Sequence, residues 1–405
     1  MFTSDRAPSL KTVLLASGVV LTLAMGVRHG FGFWMQPISQ ANGWTRETFS
    51  LALALQNLMW GVFGPFAGMA ADRFGTMRVV LAGALSYMAG LVWMAVVTQP
   101  TLFIVGSGVF IGLGLACTAF GAVSGIIGRV APVERRSWAF GISGATSSFG
   151  QFMMMPLEQF LISSVGWENA FYLLAGAIIV AMVPMSFFLR EPPVSHGEGQ
   201  HQSAGDALRE ALRNRSFLFL VAGYFVCGFQ VVFIAVHLPA YLKDKGVGDP
   251  KVAVMALALI GLFNIFGSYY AGKWGGIMPK RYLLSGIYFI RAVVIALFLL
   301  APLSPMSVYL FAAAMGFIWL STVPLTNGII AGIFGVKHMS MLAGLVFFSH
   351  QIGSFLGVWL GGYLFALQGN YNVVWGIAIA LGVMAGLANL PVDERPVLRG
   401  ALKPA

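Results

Sequence analysis

The sequence predicts an all-α polytopic membrane protein: twelve transmembrane helices in two pseudo-symmetric six-helix bundles. Three observations lead there. Hydrophobic residues make up 58% of the chain and charged residues 9%, against roughly 25% charged in soluble domains, and the mean hydropathy is +0.82. Apolar stretches of about twenty residues, enough to cross a bilayer, recur along the chain. One long polar stretch divides them six and six.

In order, the spans are read at 12–35, 47–71, 79–98, 102–129, 137–163 and 167–189, then 216–242, 252–272, 282–300, 307–334, 340–366 and 371–391. The first follows Arg6 and Lys11, as a signal segment would. It is too long for a signal h-region and lacks a small-residue cleavage site, so it is expected to be a retained helix. Between spans six and seven, 190–215 is rich in Pro, Gly, Ser and charge, and ends in an amphipathic run from Asp206 to Arg215. That pattern predicts a cytoplasmic linker carrying a short surface helix. The expected division is therefore an N-terminal bundle at 1–189, the linker at 190–215 and a C-terminal bundle at 216–405. Pro65, Pro156 and Pro324 lie in or near span interiors, where a lost backbone hydrogen bond predicts kinks. Fifty glycines suit close helix approach in lipid, and Cys117 and Cys227, both in apolar runs, are expected as small packing residues.

Charge sets the orientation. Of 24 Lys and Arg residues, eighteen fall on the side that carries both termini; Arg46, Lys243, Lys245 and Lys251 fall on the other, and Arg28 and Arg291 lie inside spans. The positive-inside rule then predicts both termini in the cytoplasm, in a bacterial-type inner (cytoplasmic) membrane. The net charge of +10 is explained by these short loops, so nucleic acid is not an expected partner; the lipid bilayer is.

The two halves repeat. Gly26, Phe31 and Pro37 recur as Gly228, Phe233 and Pro239; Gly61, Ala71 and Gly75 as Gly261, Ala271 and Gly275; Gly141, Gly150, Phe152 and Gly166 as Gly344, Gly353, Phe355 and Gly369. Three sets at offsets between 200 and 203 point to parallel repeats, which place a substrate site near the midplane between the halves.

The loop after span two reads Gly68-Met-Ala-Ala-Asp72-Arg73-Phe-Gly75-Thr-Met-Arg78. It resembles the G-x-x-x-D-R-x-G-x-x-R loop of the major facilitator superfamily, and the likeness extends over all twelve spans. The resemblance implies that Gly68, Asp72, Arg73, Gly75 and Arg78 form a conformational latch, the Asp capping and pairing across helices in the outward-facing state. The bland alternative is ordinary topogenic charge. The matching loop of the second half, Gly272 to Arg281, lacks the acid. Within the superfamily, Gly30-Phe-Gly-Phe-Trp-Met-Gln-Pro37 followed by Gly43-Trp-Thr-Arg46 is similar to monocarboxylate and oxalate–formate type carriers. Those often carry an Asp and an Arg in span eight, which is absent here, so only the class of small organic anion carries over. The resemblance also implies a monomer.

Two deep charges, both positive, stand in the spans: Arg28 and Arg291. The 14 acids fall in loops or near span ends, Glu158 closest to an interior, and none is expected at the depth of Arg28. A guanidinium in hydrocarbon costs roughly 2.5–3.5 kcal/mol even on insertion scales, so it must face a wet cavity or a partner. With no acid expected beside it, an anionic ligand is the natural partner, and the planar fork suits a carboxylate. The alternative is that Arg28 braces its helix through backbone carbonyls. Arg291, in span nine, is peripheral by resemblance; bracing or snorkelling weighs against binding there, and its role stays open. His350 is the titratable group at depth in span eleven, a candidate for substrate contact and proton coupling, or else a hydrogen-bonded structural residue. His29 points about 100° from Arg28 on a helix and is a weaker candidate.

Polar residues at similar depth complete the expected site: Gln56, Asn57, Thr118, Ser147, Gln151, Gln230, Asn264, Trp319, Thr322 and Asn327. Gln230 matches Arg28, and Ser147 matches His350, across the repeat. For each alone, interhelical hydrogen bonding is an equal reading. The leading expectation is a secondary active transporter of a small organic anion, first of all a monocarboxylate, with protons or a counter-anion as coupling partner. The alternative is a multidrug or metabolite exporter, for which 20 Met and 13% aromatics would suit a greasy cavity, although cation exporters need a buried acid. A sensor built on a transporter fold is a third reading, and no soluble domain speaks for it. Enzyme chemistry, a metal site and a cofactor have no motif to support them.

Overall fold

The computed structural model describes residues 8–44, 46–191, 202–247 and 249–397. Arg6, Arg399, Lys403 and linker residues 192–201, all used above in reading charge, lie outside the described residues. The first half runs α1 (Leu10–Gly30), a 3-10 turn at Phe31–Trp34, α2 (Met35–Asn42), α3 (Arg46–Phe74), α4 (Thr76–Val96), α5 (Pro100–Thr118), α6 (Phe120–Val130), α7 (Arg136–Val165) and α8 (Trp167–Phe187). The linker helix α9 (Ala204–Arg213) follows. The second half runs α10 (Arg215–Asp244), α11 (Pro250–Trp274), α12 (Lys280–Leu300), α13 (Pro305–Phe317), α14 (Thr322–Phe334), α15 (Met339–Gln368) and α16 (Asn372–Asn389).

Local chemistry sets the ends. The Ser9 hydroxyl caps α1 by accepting from the Thr12 amide at 3.1 Å, Asp249 caps α11, and Ser304 with Ser307 forms a capping box on α13. Pro100, Pro250 and Pro305 stand at helix starts, where no amide bond is lost. Gly75, with φ +91°, makes the tight turn between α3 and α4 that a side chain would strain.

These helices form twelve spans, and eleven of them are long and apolar enough to cross a bilayer by composition. The twelfth is α7. It is less apolar because it buries Ser137, Ser143, Ser147, Ser148, Gln151 and Glu158 against its neighbours. Spans four and ten, read as continuous, are each broken in two: α5 and α6 meet at Ala119, and α13 and α14 are separated by Ile318–Ser321. The second pieces, starting at Phe120 and Thr322, are 202 residues apart, so the breaks are repeat-equivalent. Span one likewise gives way to the 3-10 turn at Phe31 and continues helically to Asn42. Pro65 and Pro156 are interior to α3 and α7, whereas Pro324 stands in the first turn of α14, and Pro184 and Pro239 are further interior prolines.

The helices of each half pack on one another, and the halves meet along α3 against α15 and α7 against α11. Cross-half hydrogen bonds among the described residues fall near the basic end or midway: Met341 to Asp72, Gly125 to Ser340, Arg129 to Val336, Asn264 to Ser148 and Gln351 to Asn57. Small residues permit the approach. A side chain at Gly68 would strike the Ser340 backbone, and α7 and α11 touch at Gly141 and Gly272.

Candidate functional site

Arg28 stands in the last turn of α1, where the helix carbonyls favour a cation. It is partly exposed, and its Nη2 donates to Asn57 Oδ1 on α3. The guanidinium also lies 5.7 Å from the Trp60 ring centroid, and its Nε has no partner. No ion pair to Arg28 is present among the described residues. The neighbouring His29 is turned back onto its own helix, its Nδ1 2.6 Å from the Met25 carbonyl.

Asn57 carries the line across to the second half. Its backbone carbonyl accepts from Gln351 Nε2 at 3.0 Å, and Gln351 Oε1 lies 3.3 Å from His350 Nδ1. An aromatic line runs beside it: Trp60 packs at 4.6 Å on Phe347, which stacks on His350, and His350 meets Tyr224 at 5.5 Å. Arg28 and His350, read separately from the sequence, are thus joined through α3 and α15 across the seam. His350 is buried, with Ser354 Oγ also 3.3 Å from Nδ1.

The other expected site residues divide. Gln56 is buried with both amide atoms unpartnered, and Gln151 is buried with its Nε2 unpartnered. Ser147 is buried on α7. Thr118 donates to the Gly114 carbonyl where α5 ends, and Asn327 Nδ2 donates to the Val323 carbonyl while its Oδ1 has no partner. Thr322, at the start of α14, faces Cys227 at 3.4 Å. Asn264 is occupied: it donates to Ser148 Oγ and accepts from the Leu320 amide and Ser268 Oγ.

Arg291, Gln230 and Trp319 form a second cluster. Arg291 is fully buried; its Nε and Nη2 donate to the Ile318 carbonyl at 3.1 and 2.6 Å, and Nη2 also donates to the Trp319 carbonyl. These carbonyls are the ones orphaned by the break between α13 and α14, so the guanidinium fills the hydrogen-bonding gap of the broken span. Gln230 donates to the Ala378 carbonyl at 2.8 Å and receives Arg291 Nη1 at 3.5 Å. Although Gln230 matches Arg28 in the repeat, it is turned toward α12 and α16 and does not join the Arg28 line.

At the basic end, Asp72 does pair across helices, but with partners the sequence reading did not name. Its Oδ1 receives Arg129 Nη1 at 3.1 Å and its Oδ2 receives the Met341 amide at 2.9 Å, at the start of α15. Arg129 in turn pairs with Glu191 at 2.7 Å, and Glu191 accepts from Thr76 Oγ1. Arg73 and Arg78 are exposed, with Arg73 lying over the Phe74 ring. The carboxylate of one half on a helix N-terminus of the other is favourable by dipole and by hydrogen bond.

The largest departure is Glu158. It is not near a loop; it is fully buried in α7, two turns before Val165, and touches Gly30, half a turn beyond Arg28. An acid therefore does lie at the depth of Arg28. It does not pair with Arg28, and instead accepts from Trp34 Nε1 at 3.0 Å. The sequence signal was present in the helix-compatible run on either side of Glu158, but the span limit drawn at 163 set it too near the surface.

A family model described as Major Facilitator Superfamily matches residues 14–357. A Bacillus subtilis (strain 168) protein described as an uncharacterized MFS-type transporter, YcxA, is 24% identical over 96% of this chain and 97% of its own length. Monocarboxylate transporter 13 of Bos taurus is 26% identical over 92% of this chain and 87% of its own. Among solved structures, a variant of the E. coli fucose:proton symporter FucP superposes with a TM-score of 0.73 at 16% identity, covering 95% of this chain and 99% of that one. The proton:xylose symporter XylE superposes at 0.70 and 15%, covering 93% and 94%.

Proposed function

The chain belongs to the Major Facilitator Superfamily and is a secondary transporter, and from that premise we propose that it carries a small organic anion, a monocarboxylate, by alternating access. The observation that supports the substrate class is Arg28: a partly buried residue at the seam of the halves, whose buried Nε has no partner and to which no carboxylate is paired among the described residues. A carboxylate ligand would supply the missing charge and accept from the planar fork, while His350, reached through Asn57 and Gln351, supplies a second contact from the other half. Contacts from both halves are what a carrier needs if binding is to bias their closure. Relatives named as monocarboxylate transporters agree with this class.

In this reading the basic end faces the cytoplasm and both termini lie inside. The seam closed by Asp72, Arg129 and the Gly68 contact is then the cytoplasmic gate, and the structure is the outward-facing state. Residues 1–189 and 216–405 rock as two bodies joined by 190–215, in a monomer in a bacterial-type inner membrane. Transport is driven by protons or by exchange against a second anion.

An exporter of cations gains one observation, the buried acid Glu158, but that side chain is fully buried and bonded to Trp34, whereas Arg28 is partly exposed. The test is uptake by proteoliposomes of labelled lactate, pyruvate and formate, beside a lipophilic cation, with unlabelled substrate trapped inside. Accelerated entry of one of the acids that vanishes in Arg28→Gln is expected. Entry of the cation alone would overturn the anion reading in favour of the exporter.

A further inference from the structure

Glu158 has a setting that substrate binding does not explain. It is 0% exposed, its Oε2 receives the Trp34 indole, and its Oε1 has no hydrogen-bond partner. The carboxyl occupies the space that a side chain at Gly30 would fill: a Cβ there would lie within 2.8 Å of all three carboxyl heavy atoms. This is the point where α1 gives way to the 3-10 turn. Trp34 and Phe31 are buried in that turn, Trp34 stacking on Phe171 of α8 at 3.9 Å, while Gly32 and Phe33 are exposed with open space beside Gly32. The carboxyl thus sits beneath the turn, covered by Gly30 and Trp34.

The charged and titratable groups around it are few. On α1 they are Arg28, held by Asn57, and His29, held by the Met25 carbonyl. From α4 comes Tyr87, whose hydroxyl donates to the Ala24 carbonyl at 3.0 Å. From α8 come Phe171 and Trp167, with Glu168 exposed. The helices α6, α11 and α14 touch α7 at Phe140, at Gly141, Gly144 and Ser148, and at Ser137 respectively, nearer the basic end. Among the described residues no cation contacts the carboxyl, and Oε1 is the atom free to carry a proton.

The second half offers a comparison at the matching place. Gly361, 203 residues after Glu158, faces His237 of α10. The crossing of the first and fifth spans of each half therefore holds a titratable side chain against a glycine. His237 is satisfied there, its Nε2 3.0 Å from the Val358 carbonyl and its Nδ1 3.4 Å from the Tyr371 hydroxyl. Glu158 is only half satisfied.

We propose that Glu158 is the proton-binding residue of the transport cycle, loading in the outward-facing state. This rests on the anion reading above. An O–H bond forms on Oε1 with a proton from external water, and the same bond breaks to release the proton to internal water after the halves rock. One proton and one monocarboxylate anion cross together, so the step is electroneutral and involves no oxidation. Coupling follows from position: Glu158 packs against Gly30, two residues beyond Arg28, so the neutral carboxyl leaves the Arg28 charge to the anion and the ionised one competes for it. His350 is then an anion contact and not the proton carrier.

Glu158→Gln keeps the shape and the acceptor for Trp34 but cannot bind a proton. In proteoliposomes with lactate as probe, the variant is expected to keep lactate–lactate counterflow at equal pH while uphill uptake driven by external acid falls about tenfold or more. In purified protein without ligand, infrared difference spectra between low and high pH are expected to lose a carboxylic-acid C=O band that titrates in the wild type. Glu158→Asp, which keeps a carboxyl, is expected to restore part of the acid-driven uptake and serves if the Gln variant folds poorly. Acid-driven uptake that survives in Glu158→Gln, or an infrared titration identical in both proteins, would overturn the proposal. If the wild type moves no lactate in either assay, the anion reading fails, and the infrared titration alone then decides whether Glu158 binds a proton.

Discussion

Arg28 and Arg291 are both guanidiniums inside spans, yet their surroundings give them different work. Arg291 is fully buried and donates to the Ile318 and Trp319 carbonyls, so its cost of burial is offset by satisfying a broken helix. Replacing it by Leu removes the donor and strands those carbonyls. Thermal unfolding in detergent is expected to show a loss of about 2–3 kcal/mol, with ligand affinity in the surviving protein changed little. Arg28 is partly exposed with spare donors. Arg28→Lys keeps the charge but loses the planar fork, and about tenfold weaker binding of a carboxylate is expected by calorimetry. That both arginines were deep was legible in the sequence, because charge in an apolar run stands out. Their partners were not, since Asn57 and Gln351 become neighbours only when α3 and α15 cross.

At the scale of elements, spans four and ten are broken at repeat-equivalent places, and the second break sets the Arg291 cluster. Asn264 holds the second break from outside, accepting from the Leu320 amide and donating to Ser148 of the other half. Asn264→Ala leaves that amide without its acceptor. A destabilisation of about 1–3 kcal/mol is expected, together with faster amide exchange across 318–322. The twelve spans were readable because apolar length is a strong signal; the breaks were not. Neither Ala119 nor Ile318-Trp-Leu-Ser321 carries a residue that forbids helix, so tertiary hydrogen bonds decide the matter there. Pro324 misled for a related reason: it marks the start of α14, where its missing amide hydrogen costs nothing. Glu158 was hidden by the same limitation, because the end of α7 and the turn after α1 together determine whether it is buried.

For the whole molecule, the proposed transport cycle makes the seam between the halves the moving part. It is held by an ion-paired carboxylate on a helix N-terminus and by glycine contacts, each weak enough to break in a cycle. The loop motif pointed to Asp72; its ion-pair network is made with Arg129 and, through it, Glu191, both distant in sequence, while Arg73 and Arg78 are exposed. Gly68→Leu would drive a side chain into the Ser340 backbone. It is expected to shift the population toward opening at the basic end by about tenfold or more, read as increased labelling of a cysteine introduced by Ser340→Cys, a buried seam position where the thiol replaces a hydroxyl of similar size. Unchanged labelling would mean that the seam is not the gate.

The central claim is that Arg28 anchors an anion between the halves. Its most direct measurement is thermal stabilisation of the purified protein by carboxylates, hydroxy acids, aromatic acids and cationic compounds, wild type beside Arg28→Gln. Binding to the native state raises apparent stability by about 2.7 kcal/mol at a hundredfold excess over Kd. The account predicts that one class of carboxylates stabilises the wild type and leaves Arg28→Gln unaffected. Stabilisation only by cations or apolar compounds, or an equal response from the variant, would contradict it.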